Sequence, residues 1–165
     1  MVDTVIPLST PVGNGEMLVS NALRGAFGLG VQVDRATEHM GDKDIFSVDG
    51  GRVLLTGILG IVTTAIGGGS EDIELDFDPD NSESTIALCT VTLIDGDPVG
   101  TMYTLAAAVG SALTIGTQTI AIGPVPGWVL EAGDIVLDET GTELGSIQWT
   151  VWYIPLDEGA TVTAV

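Results

Sequence analysis

The residues of this chain best suited to chemistry are the carboxylates of DIELDFDPDNSE, Asp72 to Glu83. Asp76, Asp78 and Asp80 have the D-x-D-x-D spacing that supplies the first three ligands of an EF-hand calcium loop. The rest of that loop is missing. Asn81 stands where the loop needs Gly, its twelfth position is Ala87 and not Glu, and Pro79 lies inside it. A strand accounts for the same residues: Ile73, Leu75 and Phe77 point inward, Glu74, Asp76 and Asp78 point to water, and Pro79 to Ser82 makes a turn. A cation held between crowded carboxylates is the alternative, so no metal ligand is assigned.

Other chemical groups are sparse. His39 is the one histidine, and as a base it would need a pocket built around it with Asp34 or Asp42. Cys89 sits in the apolar run TIALCTVTLI and reads as a buried thiol rather than a nucleophile. Gly67-Gly68-Gly69-Ser70 lacks the Lys of a phosphate-binding loop, and Gly25-Ala26-Phe27-Gly28-Leu29-Gly30 precedes no helix, so both read as chain bends. No catalytic residue and no cofactor is expected. A carboxylate-pair glycosidase is the enzymatic rival, and its mark would be a deep cleft with two facing acids.

The charge pattern narrows the partners. With 23 acids, four basic residues and a net charge of −19, the chain has nothing to replace the counterions of a phosphate backbone, so nucleic acid is excluded as a partner. All four cations, Arg24, Arg35, Lys43 and Arg52, fall in the first 52 residues; the remaining 113 contain sixteen acids and no cation. Salt bridges within the C-terminal two thirds are therefore impossible, and carboxylate hydration keeps that part soluble. Val99 to Leu130 contains no charge at all. Its Gly and Pro residues break it into strands rather than a membrane helix, and Val53 to Ile66 is too short to span. The uncharged run is expected to face a core or a subunit contact. The N-terminus has neither the basic nor the apolar region of a signal peptide, so no secretory route is expected.

The elements that must position these groups are strands. Glycine at 23 residues, abundant Thr and Val, and few aromatics suit short strands joined by turns. From Ile45 onward, candidate strands are Ile45–Val48, Arg52–Ile66, Ile73–Phe77, Thr85–Ile94, Gly100–Ala107, Ala112–Ile115, Thr119–Ile122, Trp128–Leu130, Asp134–Leu137, Gly145–Pro155 and Ala160–Ala164. Such spacing predicts a mainly β protein, a jelly-roll-like antiparallel β-sandwich over 45–165. Residues 1–44 read as an extended N-terminal arm with one short helix over Glu16 to Ala26, where Leu18, Val19, Ala22 and Leu23 fall at helical spacing. Along Gly145–Pro155, alternation puts Ile147, Trp149, Val151 and Tyr153 on one face and Gln148, Thr150, Trp152 and Ile154 on the other. Trp152, like Trp128, is then a candidate for a subunit interface or for exposure as a sugar platform.

Two passages carry a resemblance. Ile45-Phe46-Ser47-Val48-Asp49-Gly50-Gly51-Arg52-Val53 through Gly60-Ile61-Val62-Thr63-Thr64-Ala65-Ile66 resembles the opening of small proteins encoded beside the major capsid genes of tailed bacteriophages. Ile147-Gln148-Trp149 through Tyr153-Ile154-Pro155-Leu156, with Gly159-Ala160-Thr161-Val162, is similar to their closing stretch. The resemblance implies a capsid decoration or cement protein, often trimeric, that sits on the outer surface of the phage head where capsid subunits meet. Its partners would be the major capsid protein and further copies of itself, with assembly in the host cytoplasm. The arm with its basic residues Arg24, Arg35 and Lys43, together with Arg52, is the expected contact with an acidic lattice. A tail, fibre or other receptor-binding module that holds a glycan on Trp128 or Trp152 is the alternative.

Overall fold

A computed structural model describes residues 30–35, 38, 39, 41, 43–82, 84–120, 127–141 and 145–165. The expected helix over Glu16 to Ala26 lies outside them, as does Arg24. The described residues are mainly β with no helix, arranged in two antiparallel sheets.

The strands in chain order are β1 (Val31–Asp34), β2 (Glu38–His39), β3 (Lys43–Asp49), β4 (Val53–Thr64), β5 (Asp72–Pro79), β6 (Ile86–Ala87) and β7 (Thr92–Leu93). They continue with β8 (Thr101–Thr104), β9 (Thr114–Thr117), β10 (Trp128–Leu130), β11 (Gly133–Thr140), β12 (Ser146–Pro155) and β13 (Thr161–Ala164). The first sheet runs β1-β12-β4-β8-β9, with β10 beside β4 and β2 beside β12; the second runs β13-β3-β11-β5-β6, with β7 beside β5. The segment expected to be extended or loop-like before Ile45 thus contributes β1 and β2 to the first sheet and the start of β3 to the second.

Chain neighbours are often not sheet neighbours. The links β3 to β4, β4 to β5, β11 to β12 and β12 to β13 each pass from one sheet to the other. The two passages of resemblance, β3–β4 and β12–β13, are brought together by this route. β12 pairs with β4 from Ser146↔Thr64 to Pro155↔Val53, and β13 pairs with β3.

Period-2 alternation decides which side chains go inside. Ile73, Leu75 and Phe77 of β5, Ile135 and Leu137 of β11, and Ile147, Trp149, Val151 and Tyr153 of β12 are all buried in one core. Trp149 is fully buried, which contributes about 3 kcal/mol. Its ring lies so close to β4 that a Cβ on Gly60 would stand 2.7–2.9 Å from three ring carbons. Only a residue without a side chain fits there.

The expected strand Thr85–Ile94 is instead two short pieces. Leu88 and Cys89 are both buried, and both backbone N–H groups donate to Leu75 O, at 2.8 and 3.3 Å. Two consecutive inward residues cannot belong to one regular strand, so the ladder breaks between β6 and β7.

Candidate functional site

The two outward faces differ in chemistry. The second sheet presents Asp44 and Asp49 from β3, Asp72, Glu74, Asp76 and Asp78 from β5, and Asp134 and Asp138 from β11. Cross-strand register sets Asp78 opposite Asp134 and Glu74 opposite Asp138. Like charges placed directly opposite repel. Partial burial, then the neighbouring carboxylates Asp76 and Asp138, raise the Glu74 pKa above its ordinary value; burial and Asp138 do the same for Asp76.

The first sheet presents the opposite chemistry. Its outward positions hold Leu54, Leu59 and Ile61 of β4, Met102 of β8, and Trp152 and Ile154 of β12, all half-buried. Val129 of β10 extends this face beside Leu54 and is exposed. Among the outward positions of β1, β4, β8, β9, β10 and β12 the one carboxylate is Asp34, whose Oδ1 accepts bonds from Gln32 Nε2 at 2.6 Å and Thr150 Oγ1 at 2.9 Å. Trp152 therefore stands within a largely apolar face whose one carboxylate lies on β1. Alternation in β12 predicted its direction; Leu54, Leu59, Ile61 and Met102 were not singled out in the sequence. Their common face emerges only when β4, β8 and β12 are set in register.

The three described cations, Arg35, Lys43 and Arg52, do not form one patch. Arg35 is buried, with its Nη1 donating to Ile45 O at 3.4 Å, and Lys43 is half-buried at the start of β3. Arg52 lies beyond the other end of β3, exposed, and is joined in a salt bridge to Asp157.

Trp128 lies apart from Trp152. It packs against the core and lines a cleft of about 420 Å³ between the two sheets, with Phe77, Leu88 and Leu130 as its floor. Asn81 Nδ2 donates to Glu131 Oε2 at 2.9 Å on the rim, where Ser82 and Ser84 also stand. Among the described residues that line the cleft, Glu131 is the one charged side chain.

The D-x-D-x-D segment is a strand that runs into a turn. Ser82 N donates to Pro79 O at 3.1 Å, and Ile73, Leu75 and Phe77 are buried as alternation predicts. Among the described residues no group of three or more His, Cys, Asp or Glu side chains is placed to hold a metal ion. Nor is any described helix long and apolar enough to cross a membrane. The Gly67–Ser70 bend holds an anion after all, but an internal one. Asp95 Oδ1 accepts from Gly69 N at 2.6 Å and from Ser70 N at 3.1 Å. Comparison with protein-family models, curated proteins and solved structures finds no match for the chain.

Proposed function

We propose that the chain is a structural virion protein, a decoration or cement protein that binds the outer surface of a tailed-phage head between subunits of the major capsid protein and stabilises it. In this reading the fold is a jelly-roll-like sandwich and the working unit is a homotrimer. Residues 31–44 of the expected docking arm supply β1, β2 and the start of β3 to the two sheets, so docking in this reading falls to residues 1–29 and to the apolar face of the first sheet, and the carboxylate face of the second sheet is displayed. It is not an enzyme, takes no cofactor, and binds neither nucleic acid nor membrane.

The observation that carries the reading is the contrast between the two faces. A largely apolar face with one carboxylate, Asp34 on its β1 border, can be buried against a lattice at lower desolvation cost than the carboxylate ladder. The opposite face, with its ladder of carboxylates, stays hydrated and repels other particles. Many identical weak contacts then add through avidity on the repeating head surface. The pairing of the two resembling passages as neighbouring strands supports the reading further, since the likeness then concerns one spatial unit.

The test is cosedimentation of the full chain with expanded heads of the phage that encodes it. Saturable binding that falls when Trp152→Asp places a charge on the apolar face, and that is lost when residues 1–29 before β1 are removed, is the expected result. Heads that leave the wild-type chain in the supernatant overturn the proposal.

The cleft at Trp128 favours a second reading, a receptor-binding module that holds a neutral sugar on the indole with Asn81, Ser82, Ser84 and Glu131 on its hydroxyls. Glycan binding abolished by Trp128→Ala, with no head binding, would select it.

A further inference from the structure

One flank of the described residues is formed by sheet edges. β6 and β7 end the second sheet there and β9 ends the first, and among the described residues no strand pairs with their outer sides. The two edges are joined: Thr90 bridges Ala112, Thr90 N donates to Ser111 O at 3.3 Å, and Leu113 N donates to Thr92 Oγ1 at 2.9 Å.

The edge strands of this flank carry no charged side chain of their own, and the carboxylate ladder borders them on the β5 side, with Asp72 opposite Leu93 and Asp76 opposite Ala87. Residues 84–94 and 98–120 contain no Asp, Glu, Lys or Arg. The two acids between them are turned to internal partners. Asp95 holds the backbone of Gly69 and Ser70, and Asp97 Oδ2 accepts the Tyr103 hydroxyl at 2.7 Å. Of the nine exposed large hydrophobic side chains among the described residues, six belong to these two segments: Ile86, Val91, Leu93, Val99, Val109 and Ile115.

Sheet edges of soluble proteins are normally protected by charges, Pro or a covering segment, because their free N–H and C=O groups are open to another chain. These edges lack charged guards, and apolar side chains surround them. In a chain of net charge −19 this has one economical explanation. Contacts between copies through the carboxylate ladder would set like charges against each other, whereas the uncharged edge strands can meet their counterparts with less repulsion.

We infer that the flank formed by β6, β7 and β9 is the contact surface with further copies of this chain. The flank lies at the side of the sandwich, and a trimer whose faces all meet one head surface needs its copies side by side with their apolar faces pointing the same way. The symmetry axis then runs through the meeting flanks, normal to the sheets. The inference deepens the proposed function and rests on it for the number of copies, three, and for their common orientation.

The experiment measures the assembly state of the full chain by sedimentation velocity and native mass spectrometry, across a wide concentration range and in salt sufficient to screen general repulsion. Three chains are compared: wild type, the double variant Val109→Asp with Ile115→Asp, and the control Val165→Asp. Val109, Ile115 and Val165 are 60%, 46% and 59% exposed, so each substitution leaves the core intact. Val165 follows β13 at the opposite edge of the second sheet. Assembly of wild type and Val165→Asp alike, with the double variant weakened by about a hundredfold or more at unchanged melting temperature, is expected. A monomeric wild-type chain, or a double variant that assembles as wild type does, overturns the inference. Head binding is scored separately. A chain that assembles through this flank yet ignores heads leaves the inference standing and removes the decoration reading.

Discussion

Arg52 and Asp157, 105 residues apart, meet in a two-point ion pair: Nε donates to Oδ2 at 2.9 Å and Nη2 to Oδ1 at 2.8 Å. Arg52 N also donates to Oδ2 at 2.8 Å, and Leu156 N donates to Arg52 O at 2.9 Å. The contact joins the β3–β4 and β12–β13 crossovers at one end of the sandwich. A Cβ on Gly51 would press on the Asp157 side chain at 2.8 Å, so the glycine leaves room for the pair.

Asp157→Asn is therefore expected to lower the melting temperature by a few degrees, through loss of the fork geometry rather than of charge alone. The Arg52 bonds hold the Asp157 pKa well below the usual carboxylate range. Its contribution to stability is present above the unfolded value of about 4 and is lost as pH falls through the folded one. Thermal melts of wild type and Asp157→Asn should converge in strong acid. Melts that stay equally separated there would contradict this.

The carboxylate ladder acts in the opposite sense. Glu74 and Asp76 have raised pKa values, so their ionised forms are penalised in the folded state. That penalty is absent below the unfolded value of about 4 and sets in as pH rises through the raised one. Acidification from neutral should first relieve this repulsion and only later cost the Asp157 contact, which puts the maximum of stability on the acid side of neutral. Asp138→Asn, opposite Glu74, should add about 0.5 kcal/mol in urea unfolding at neutral pH and low salt, and less at high salt. A destabilised variant would show that the ladder is held by something other than its own repulsion.

Gly60→Ala should destabilise by about 2 kcal/mol, because the buried Trp149 ring has no room to retreat from a methyl group. Denaturant unfolding followed by the near-ultraviolet signal of the indole measures both the loss and any shift of the ring. A neutral effect would mean that β4 and β12 can part locally.

Cys89 is fully buried, and its Sγ stands 3.2 Å from Leu75 N, which donates to it. Burial pushes the thiol up to about 11, with Leu75 acting against the shift and Glu74 and Asp76 adding to it. At neutral pH a disulfide reagent should modify it only through opening of the fold, in proportion to the population of the open form. Fast reaction with the native protein would show that the β5–β7 region opens on its own.

Much of the β architecture was legible because alternation is a local signal. The inward sets of β5 and β12 follow from side chains two residues apart, and each is buried as read. The turn at Pro79 to Ser82 and the buried state of Cys89 follow from equally short windows. What Cys89 does was not legible: its acceptor role toward Leu75 depends on a kink that brings Leu88 and Cys89 inward together. Nor could spacing reveal that Gly67 to Ser70 would cradle Asp95 from 25 residues further on.

The sequence alone determined the sign and uneven placement of charge, the strand-rich composition and the inward or outward direction of each alternating residue, because these depend on residue type and on a period of two. Only the tertiary structure decided which strands lie side by side. Hydrogen-bonded register between distant segments gathered Leu54, Ile61, Met102 and Trp152 onto one face, stacked the carboxylates of β5 and β11 on the other, and left β6, β7 and β9 as an uncharged flank. Pairing across long separations depends on contacts summed over whole strands, which no short window of residues contains.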